Sequence, residues 1–593
     1  MRRIPQSGSE ALIALSAVAD AIESRLRNPT HIDKHAIGID TRALAAFRVL
    51  MGLLIVGDVI SRARNFSFYY TDDGVLSQSL TQRLTSDGAF SVFYYTSDPT
   101  VMAGIFVVTA LVGIVLAFGY QTRAMTVIAF LLVISFDHQN PLVTSYADLL
   151  FRLLLFWAIF LPLGERWSVD AIHAASSSAE NTAEPNDGPA GSGDGSELSD
   201  GSELSDGSEL SDGSELSDGS ESGDDHPGAA PRGMVVGLAS AAILAQMITM
   251  YVVNGVHKAR SDMWGTTDVA PLVLGIDEMT FLLGDFMRQF PTLLGYGGVL
   301  WYYMMLTAWA LVLLRGKARI AFVGLFVGGH LSFAVTVRIG AFAYVALAGL
   351  LLFLPPSFWD VVETRGRQGW RSLAARTPLS VSREDVGRRV TSLPSPRIES
   401  PFADRGVRVV LTATLMVAVL AVLVVPAVAV APVADDIDGT HDSIDATVDA
   451  LSIDQPAWSV FAPSPRTSDR YYVVAAMTED GEEYDLFNDR ELTYDRPYEE
   501  LQKQHGTYRH RFYMNSVRSR GNDDPVSDAF ADHLCETAAE QGLNVTHLQM
   551  FSVTEEITME TLDNHEDRER SYSRFYNGGC GDNDPGDVTQ PPS

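Results

Sequence analysis

Long apolar runs separated by polar stretches dominate the hydrophobic pattern of this chain. Nine runs stand out, at 43–60, 101–118, 125–136, 149–163, 234–253, 299–314, 320–337, 340–354 and 407–433. A helix crossing a bilayer core needs about 20 mostly apolar residues. Each run is therefore read as a membrane span, the third, fourth and eighth borrowing flanking residues or thinning the bilayer locally. Basic residues orient the array. Arg2, Arg3, Arg25, Arg27, Lys34 and Arg42 precede the first run, and Arg123, Arg315, Lys317 and Arg319 fall in tight connections. The arginine-rich connection 359–406 lies on the same side as these. The pattern predicts an N-terminus in the cytoplasm and a C-terminus outside a cell membrane crossed many times.

The polar stretches divide the chain further. Residues 1–38 form a cytoplasmic tail, in which Leu12, Leu15, Val18, Ile22 and Leu26 trace one face of an amphipathic helix. The tail lacks the apolar core and cleavage site of a signal peptide, so none is expected. The membrane domain occupies 39–173 and 233–434. Between its parts, 174–232 holds four consecutive Gly-Ser-Glu-Leu-Ser-Asp repeats from Gly195 to Asp218. A unit with one apolar residue and two acids cannot offset its chain entropy, so a disordered tether is expected, with a partner-binding tail as the alternative.

Residues 435–593 read as a small external α+β domain. A hairpin is predicted around Asp480-Gly481, a helix over 525–541 ended by Gly542, and a strand over 545–553. The tail from Asn577 onward is expected to be loose. The fold class is thus an all-α polytopic membrane domain of about nine transmembrane helices with a small external α+β C-terminal domain.

Charge and cysteine usage narrow the function classes. A net charge of −31 leaves no basic footprint for nucleic acid; the acidity matches surfaces adapted to high salt. Of two cysteines, Cys535 and Cys580, no zinc-type spacing can be made. Outside the cell they could form one disulfide or remain two free thiols. No metal site is expected.

Polar residues within or beside apolar runs are costly, and so informative. On this topology Asp58, Arg62, His138, Asp148, Arg152, Lys258, His330 and Arg338 gather at the outer leaflet, with Arg48 the exception near the inner face. Asp58, Arg62, Asp148 and Arg152 are read as pairing with one another. Lys258 is one of only four lysines, the others being Lys34, Lys317 and Lys503. Arginine cannot give up its proton, so a lysine kept at this boundary points to amine chemistry, against the plainer reading of a snorkelling side chain. Withdrawn from water, it is suited to act as a base, and His330 could shuttle a proton. An interhelical hydrogen bond is the structural alternative for His330.

Several segments carry a family resemblance. Residues 39–48 (Ile-Asp-Thr-Arg-Ala-Leu-Ala-Ala-Phe-Arg), 160–170 (Phe-Leu-Pro-Leu-Gly-Glu-Arg-Trp-Ser-Val-Asp), Asn254-Gly255-Val256-His257-Lys258, His330 with 339–345, and Trp458-Ser459-Val460-Phe461-Ala462-Pro463 together resemble the HTTM (horizontally transferred transmembrane) domain family, related to vitamin K-dependent γ-carboxylase. The resemblance implies a multi-span fold with an external C-terminal domain. It also implies Lys258 as the base that deprotonates a reduced quinone, with His330 a nearby proton-handling group; both are the candidate catalytic residues. In two respects the chain departs from the carboxylase: Thr144 stands where a carboxylase histidine falls, and the external region is much shorter.

Expected partners are the lipid bilayer, a quinone by resemblance, and an external peptide or protein. The competing hypothesis is a non-catalytic membrane scaffold or receptor whose external domain binds a partner. A transporter lacks support, because no inverted repeat is evident.

Overall fold

The structure, a computed structural model, describes residues 34–85, 89–183, 233–374 and 455–592, with Leu415, Ala418, Val419 and Ile453 as isolated positions. The amphipathic segment 9–27, residues 184–232 of the insert with all its repeats, and nearly all of run 407–433 lie outside the described residues; residues 174–183, expected to begin the disordered tether, are instead the end of a helix, Val169–Ala183.

A short strand pair closes the two halves of the membrane domain. β1 (Ile39–Asp40) lies antiparallel to β2 (Met234–Val235), so the apolar run beginning at Met234 opens as strand before it becomes helix. Asp40 then caps α1 (Thr41–Ala63), accepting from the Arg42 main chain at 2.8 Å. α2 (Pro99–Phe118) starts with Asp98 as cap and Pro99 in its first turn, and stops at Gly119, whose φ of 72° suits a residue without Cβ. α1 and α2 cross at Gly52 and Gly113, where a Cβ on Gly52 would lie 2.4 Å from the Gly113 carbonyl oxygen. Small residues are what let two membrane helices approach so closely.

Helices α3 (Thr122–Gln139) and α4 (Tyr146–Ala158) follow, α4 opened by a Ser145–Asp148 capping box. α5 (Leu238–Lys258) runs as far as Lys258 itself, so this lysine is the last helical residue and not the first beyond a span. A five-residue helix, α6 (Gly284–Arg288), precedes α7 (Pro291–Leu306). α7 breaks where the run 299–314 predicted continuity. There the Thr307 hydroxyl donates back to the Tyr303 carbonyl at 2.8 Å, and only a short turn, Ala310–Leu313, follows. α8 (Gly316–Thr336), α9 (Phe342–Leu351) and α10 (Pro356–Ala374) complete the described bundle.

Among the described residues, α1, α2, α5 and α8 are each long and apolar enough to cross a membrane. A fifth crossing is counted when Phe342–Leu351 and Pro356–Gly369 are taken together, across a bend of 101°. A helix lies on each of the first eight apolar runs, but α4, α7 and α9 are short.

The C-terminal domain is a separate antiparallel sheet with two helices. β3 (Ser468–Thr478), β4 (Glu483–Asp485), β5 (Arg490–Glu491), β6 (Val545–Glu556) and β7 (Arg570–Gly579) are ordered β5-β4-β3-β6-β7. The predicted hairpin joins β3 to β4 through Gly481 (φ 80°). The predicted helix is α12 (Pro525–Glu540), followed by Gly542 with φ 84°. α11 (Tyr508–Arg520) has no counterpart in the sequence reading. Alternate residues of β3 face opposite ways. Tyr472, Val474 and Ala476 pack under α11 and α12, while Tyr471, Val473 and Ala475 pack with Tyr494, Leu501 and Val588. The first core is continuous with Tyr69, Tyr70, Phe106 and Phe136 of the membrane part. The tail expected to be loose is packed instead. Cys580 is disulfide-bonded to Cys535, Val588 is buried, and Gln549 donates to the Gly586 carbonyl at 2.8 Å.

Candidate functional site

Tyr251, Asn254 and Lys258 recur along α5 at spacings of three and four, which places all three on one buried face. That face meets the segment entering the C-terminal domain. Asn254 Nδ2 donates to the carbonyls of Trp458 (2.6 Å) and Val460 (3.0 Å). Lys258 Nζ donates to those of Val460 (2.6 Å) and Phe461 (3.2 Å), and Trp264 Nε1 to that of Pro463 (2.8 Å). Trp458 and Phe461 take left-handed backbone conformations, at φ 48° and 53°, which a side chain makes costly. Hydrogen bonds from α5 hold this strained segment in place. Two of the stretches that carry the family resemblance thus pack on each other.

Lys258 is only 2% exposed, and its nitrogen also sits 3.6 Å from the centre of the Trp264 ring. Among the described residues no carboxylate forms an ion pair with it. Its polar partners are main-chain carbonyls.

His330 occupies a different interface. It is fully buried, its Nε2 lies 2.7 Å from the Tyr251 hydroxyl, and Trp301, Phe333 and Phe342 ring it. Its Nδ1 has no hydrogen-bond partner among the described residues. Tyr251 and Lys258 are seven residues apart, so their levels on α5 differ by two turns, roughly 10 Å. The structure does not join Lys258 and His330: they share no partner and make no hydrogen bond to each other.

The remaining costly charges form two networks. Arg62 bonds Asp58 (2.7 Å), Asp137 (3.1 Å) and Asp148 (2.9 Å), and Arg509 of α11 bonds Asp58 (2.6 Å) and Asp148 (2.7 Å). Arg152, the fourth residue the sequence grouped with Asp58, Arg62 and Asp148, joins the network through Asp137, 3.8 Å away. The sequence reading missed Asp137 and Arg509. Asp137 ends an apolar run directly before His138, the more conspicuous residue, whose Nδ1 lies 2.8 Å from the Phe90 carbonyl oxygen. Arg509 lies in a polar stretch, where nothing local marks it. Arg338 grips the C-terminal domain, donating at 2.9 Å to the carbonyls of Gln502, His505 and Gly506. Arg48, at the opposite end of the bundle, donates to the carbonyls of Leu163 (2.8 Å), Arg166 (3.0 Å) and Trp167 (2.6 Å), joining two further resemblance stretches.

The second network ties the 276–288 loop to the C-terminal domain. Asp277 pairs with Arg288 (2.5 Å), Arg496 (2.5 Å) and Arg568 (3.1 Å), and Glu278 with Arg466. Asp469 accepts from the Asp277 and Glu278 main chains at 2.8 and 3.0 Å. Burial works against the Asp277 carboxylate, but the three arginines outweigh it and hold Asp277 below the usual carboxylate range. Burial, with Asp277 and Glu278 facing it, pushes Asp469 up to about 7. A cavity of about 160 Å³ opens beside this network, lined by Arg288, Glu499, Gln502, Asp563, His565 and Arg568 among others, and neither Lys258 nor His330 reaches it. Burial, reinforced by Arg338, pushes His510 down to about 4.

No group of histidine, cysteine, aspartate and glutamate among the described residues could hold a metal ion. No family model matches the chain, and no curated protein or solved structure matches it.

Proposed function

We propose that the chain is a multi-pass membrane enzyme that oxidises a reduced quinone with dioxygen as the electron acceptor, Lys258 being the base that takes the quinol proton. The membrane domain crosses the bilayer nine times, N-terminus inside and C-terminal domain outside, as the distribution of basic residues indicates. The observation that carries the catalytic reading is the setting of Lys258: a buried amine held by two carbonyls and an indole, with no carboxylate among the described residues to retain its proton. A neutral amine has two N–H donors. Two carbonyls use both and leave the lone pair for a proton, and the Trp264 ring face then supports the ammonium formed. His330, two turns away, contributes an unpartnered Nδ1 among aromatic rings, surroundings that suit a planar, lipid-soluble ring.

The test is turnover of menaquinol with oxygen by the full chain in vesicles, read by mass spectrometry of the quinone. Wild type should form oxidised quinone. Lys258→Arg keeps donors for both carbonyls but cannot serve as a base. Its fixed charge, buried without a carboxylate, should lower the melting temperature, so rates are compared per folded protein, and the loss should be at least about 100-fold. Equal turnover by the arginine variant would remove Lys258 from the chemistry.

One observation favours the second reading, a non-catalytic scaffold or receptor. Lys258 and His330 lie in separate packed interfaces, and Lys258 staples α5 to the segment leading into the C-terminal domain. That reading expects no quinone turnover by wild type, and capture of an external protein that depends on the C-terminal domain.

A further inference from the structure

The loop between α5 and α7 holds a row of apolar side chains that none of the described residues covers. Leu282 is 70% exposed, Leu283 52%, Phe286 54% and Phe290 44%, all within nine residues. The backbone beneath them is tied to the end of α8, one of the helices long and apolar enough to span. Thr280 bridges Val337, Phe281 N–H donates to the Thr336 carbonyl at 2.9 Å, and Leu283 N–H to the Val335 carbonyl at 2.9 Å. From Thr280 to Leu283 the loop therefore descends alongside the last turn of α8, toward the middle of that helix. Gly284 makes the descent possible, because a Cβ there would sit 2.4 Å from Thr280 Cγ2 and 2.7 Å from the Thr336 oxygen. The chain climbs back through α6 until Arg288 reaches the Thr280 hydroxyl at 3.0 Å, and then enters α7.

We infer that residues 281–290 form a re-entrant apolar hairpin buried in the membrane leaflet on the side of the C-terminal domain. Three features argue for lipid as the occupant. The hairpin is level with the end of a spanning helix and continues directly into α7, whose Leu293 and Tyr296 are also exposed. Non-helical backbone is tolerated at that depth only when its polar groups are paired, and the tie to α8 pairs both the loop amides and two of the carbonyls that a helix end leaves open. The only acid on the hairpin, Asp285, is paired with Arg288 at 2.8 Å. Leu282 holds a left-handed conformation, φ 42°, at the tip. The foot of the hairpin is where the C-terminal domain is fastened, through Arg288 to Asp277 and on to Arg496 and Arg568. The hairpin thus sets the depth at which that domain rides on the bilayer.

Both native cysteines are joined in a disulfide, so single added cysteines can be labelled cleanly. Leu282→Cys, Leu283→Cys and Phe286→Cys are made in the full chain, nitroxide-labelled and reconstituted in phosphatidylcholine–phosphatidylglycerol vesicles. Collision with oxygen is compared with collision with a water-soluble nickel chelate. Leu325→Cys, on the exposed face of α8, and Asp480→Cys, in the β3–β4 turn, serve as lipid and water references. The hairpin labels should show at least a threefold higher oxygen-to-nickel ratio than Asp480→Cys, approaching Leu325→Cys. A ratio like that of Asp480→Cys overturns the proposal. So does poor access to both reagents, which would mean that a second copy or another protein covers the hairpin. All three side chains are exposed, so labelling leaves the core untouched; an unchanged melting temperature confirms it.

Discussion

Arg62 shows what a buried charge asks of its surroundings. It is surrounded by three carboxylates, and Arg509 arrives from the C-terminal domain to share two of them. Replacing a whole buried pair by apolar groups can be neutral, but removing one partner strands the other. Arg509→Leu leaves Asp58 and Asp148 each short of a cation and should destabilise the protein by about 3–5 kcal/mol, read as a fall in the melting temperature of the detergent-solubilised chain. Lys503→Ala breaks the Lys503–Glu500 pair, more than half exposed on both sides, and should cost under about 1 kcal/mol. Similar losses in the two variants would mean that the buried network contributes no more than a surface contact. Lys258 was legible in the sequence because lysine is scarce and because it ends an apolar run. Its partners were not, since a carbonyl carries no mark in a sequence.

Among elements, helix approach decides the packing. α1 carries two glycines five residues apart with opposite surroundings. A Cβ on Gly52 would collide with the Gly113 oxygen at 2.4 Å and the Ala117 Cβ at 2.8 Å, whereas one on Gly57 meets nothing within 4 Å. Gly52→Ala should therefore push α1 off α2 and cost about 1–3 kcal/mol. Gly57→Ala should be neutral or stabilising by up to about 1 kcal/mol, since it removes flexibility without a clash. Thermal unfolding of both variants checks the ordering; a Gly52→Ala no less stable than Gly57→Ala would refute the close crossing. Apolar runs located the helices well because a run's length and composition are local. They missed the break in α7 because Thr307, Ala308 and Trp309, where the helix turns, leave the apolar run uninterrupted.

For the whole molecule, the seam between the membrane part and the C-terminal domain is the sensitive feature. His510 packs between Phe68 of the membrane part and Phe487 of the domain, with His505 and Arg338 nearby. Burial holds its folded pKa near 4, below the usual 6.5. The unfolded chain takes up this proton once pH falls below about 6.5, while the folded chain refuses it until about 4. Stability from this site is complete above 6.5 and is lost on acidification across that window. Asp469, pushed up to about 7, acts in the opposite sense, losing stability as pH rises, so the total curve mixes both. His510→Phe keeps the ring contacts and removes the proton site. Between pH 6.5 and 5, wild type should lose about 2 kcal/mol more than this variant, measured as the difference between their unfolding curves at the two pH values. Parallel curves would place His510 in water.

What the sequence by itself determined follows from local physics. The first eight apolar runs, the Asp480-Gly481 turn, the 525–541 helix and the strand after it depend on neighbours a few residues apart, and the structure places elements at all of them. Sequence also showed which residues are costly at their depth, because burial of a charge is penalised whoever its partner is. Only the tertiary structure decided the partners: Arg509 meets Asp148 across 361 residues, and Lys258 meets Val460 across 202. Such pairings rest on how the C-terminal domain docks, a long-range arrangement that no local pattern encodes. The same docking placed Lys258 and His330 in separate interfaces, although one helix and its neighbour carry them both.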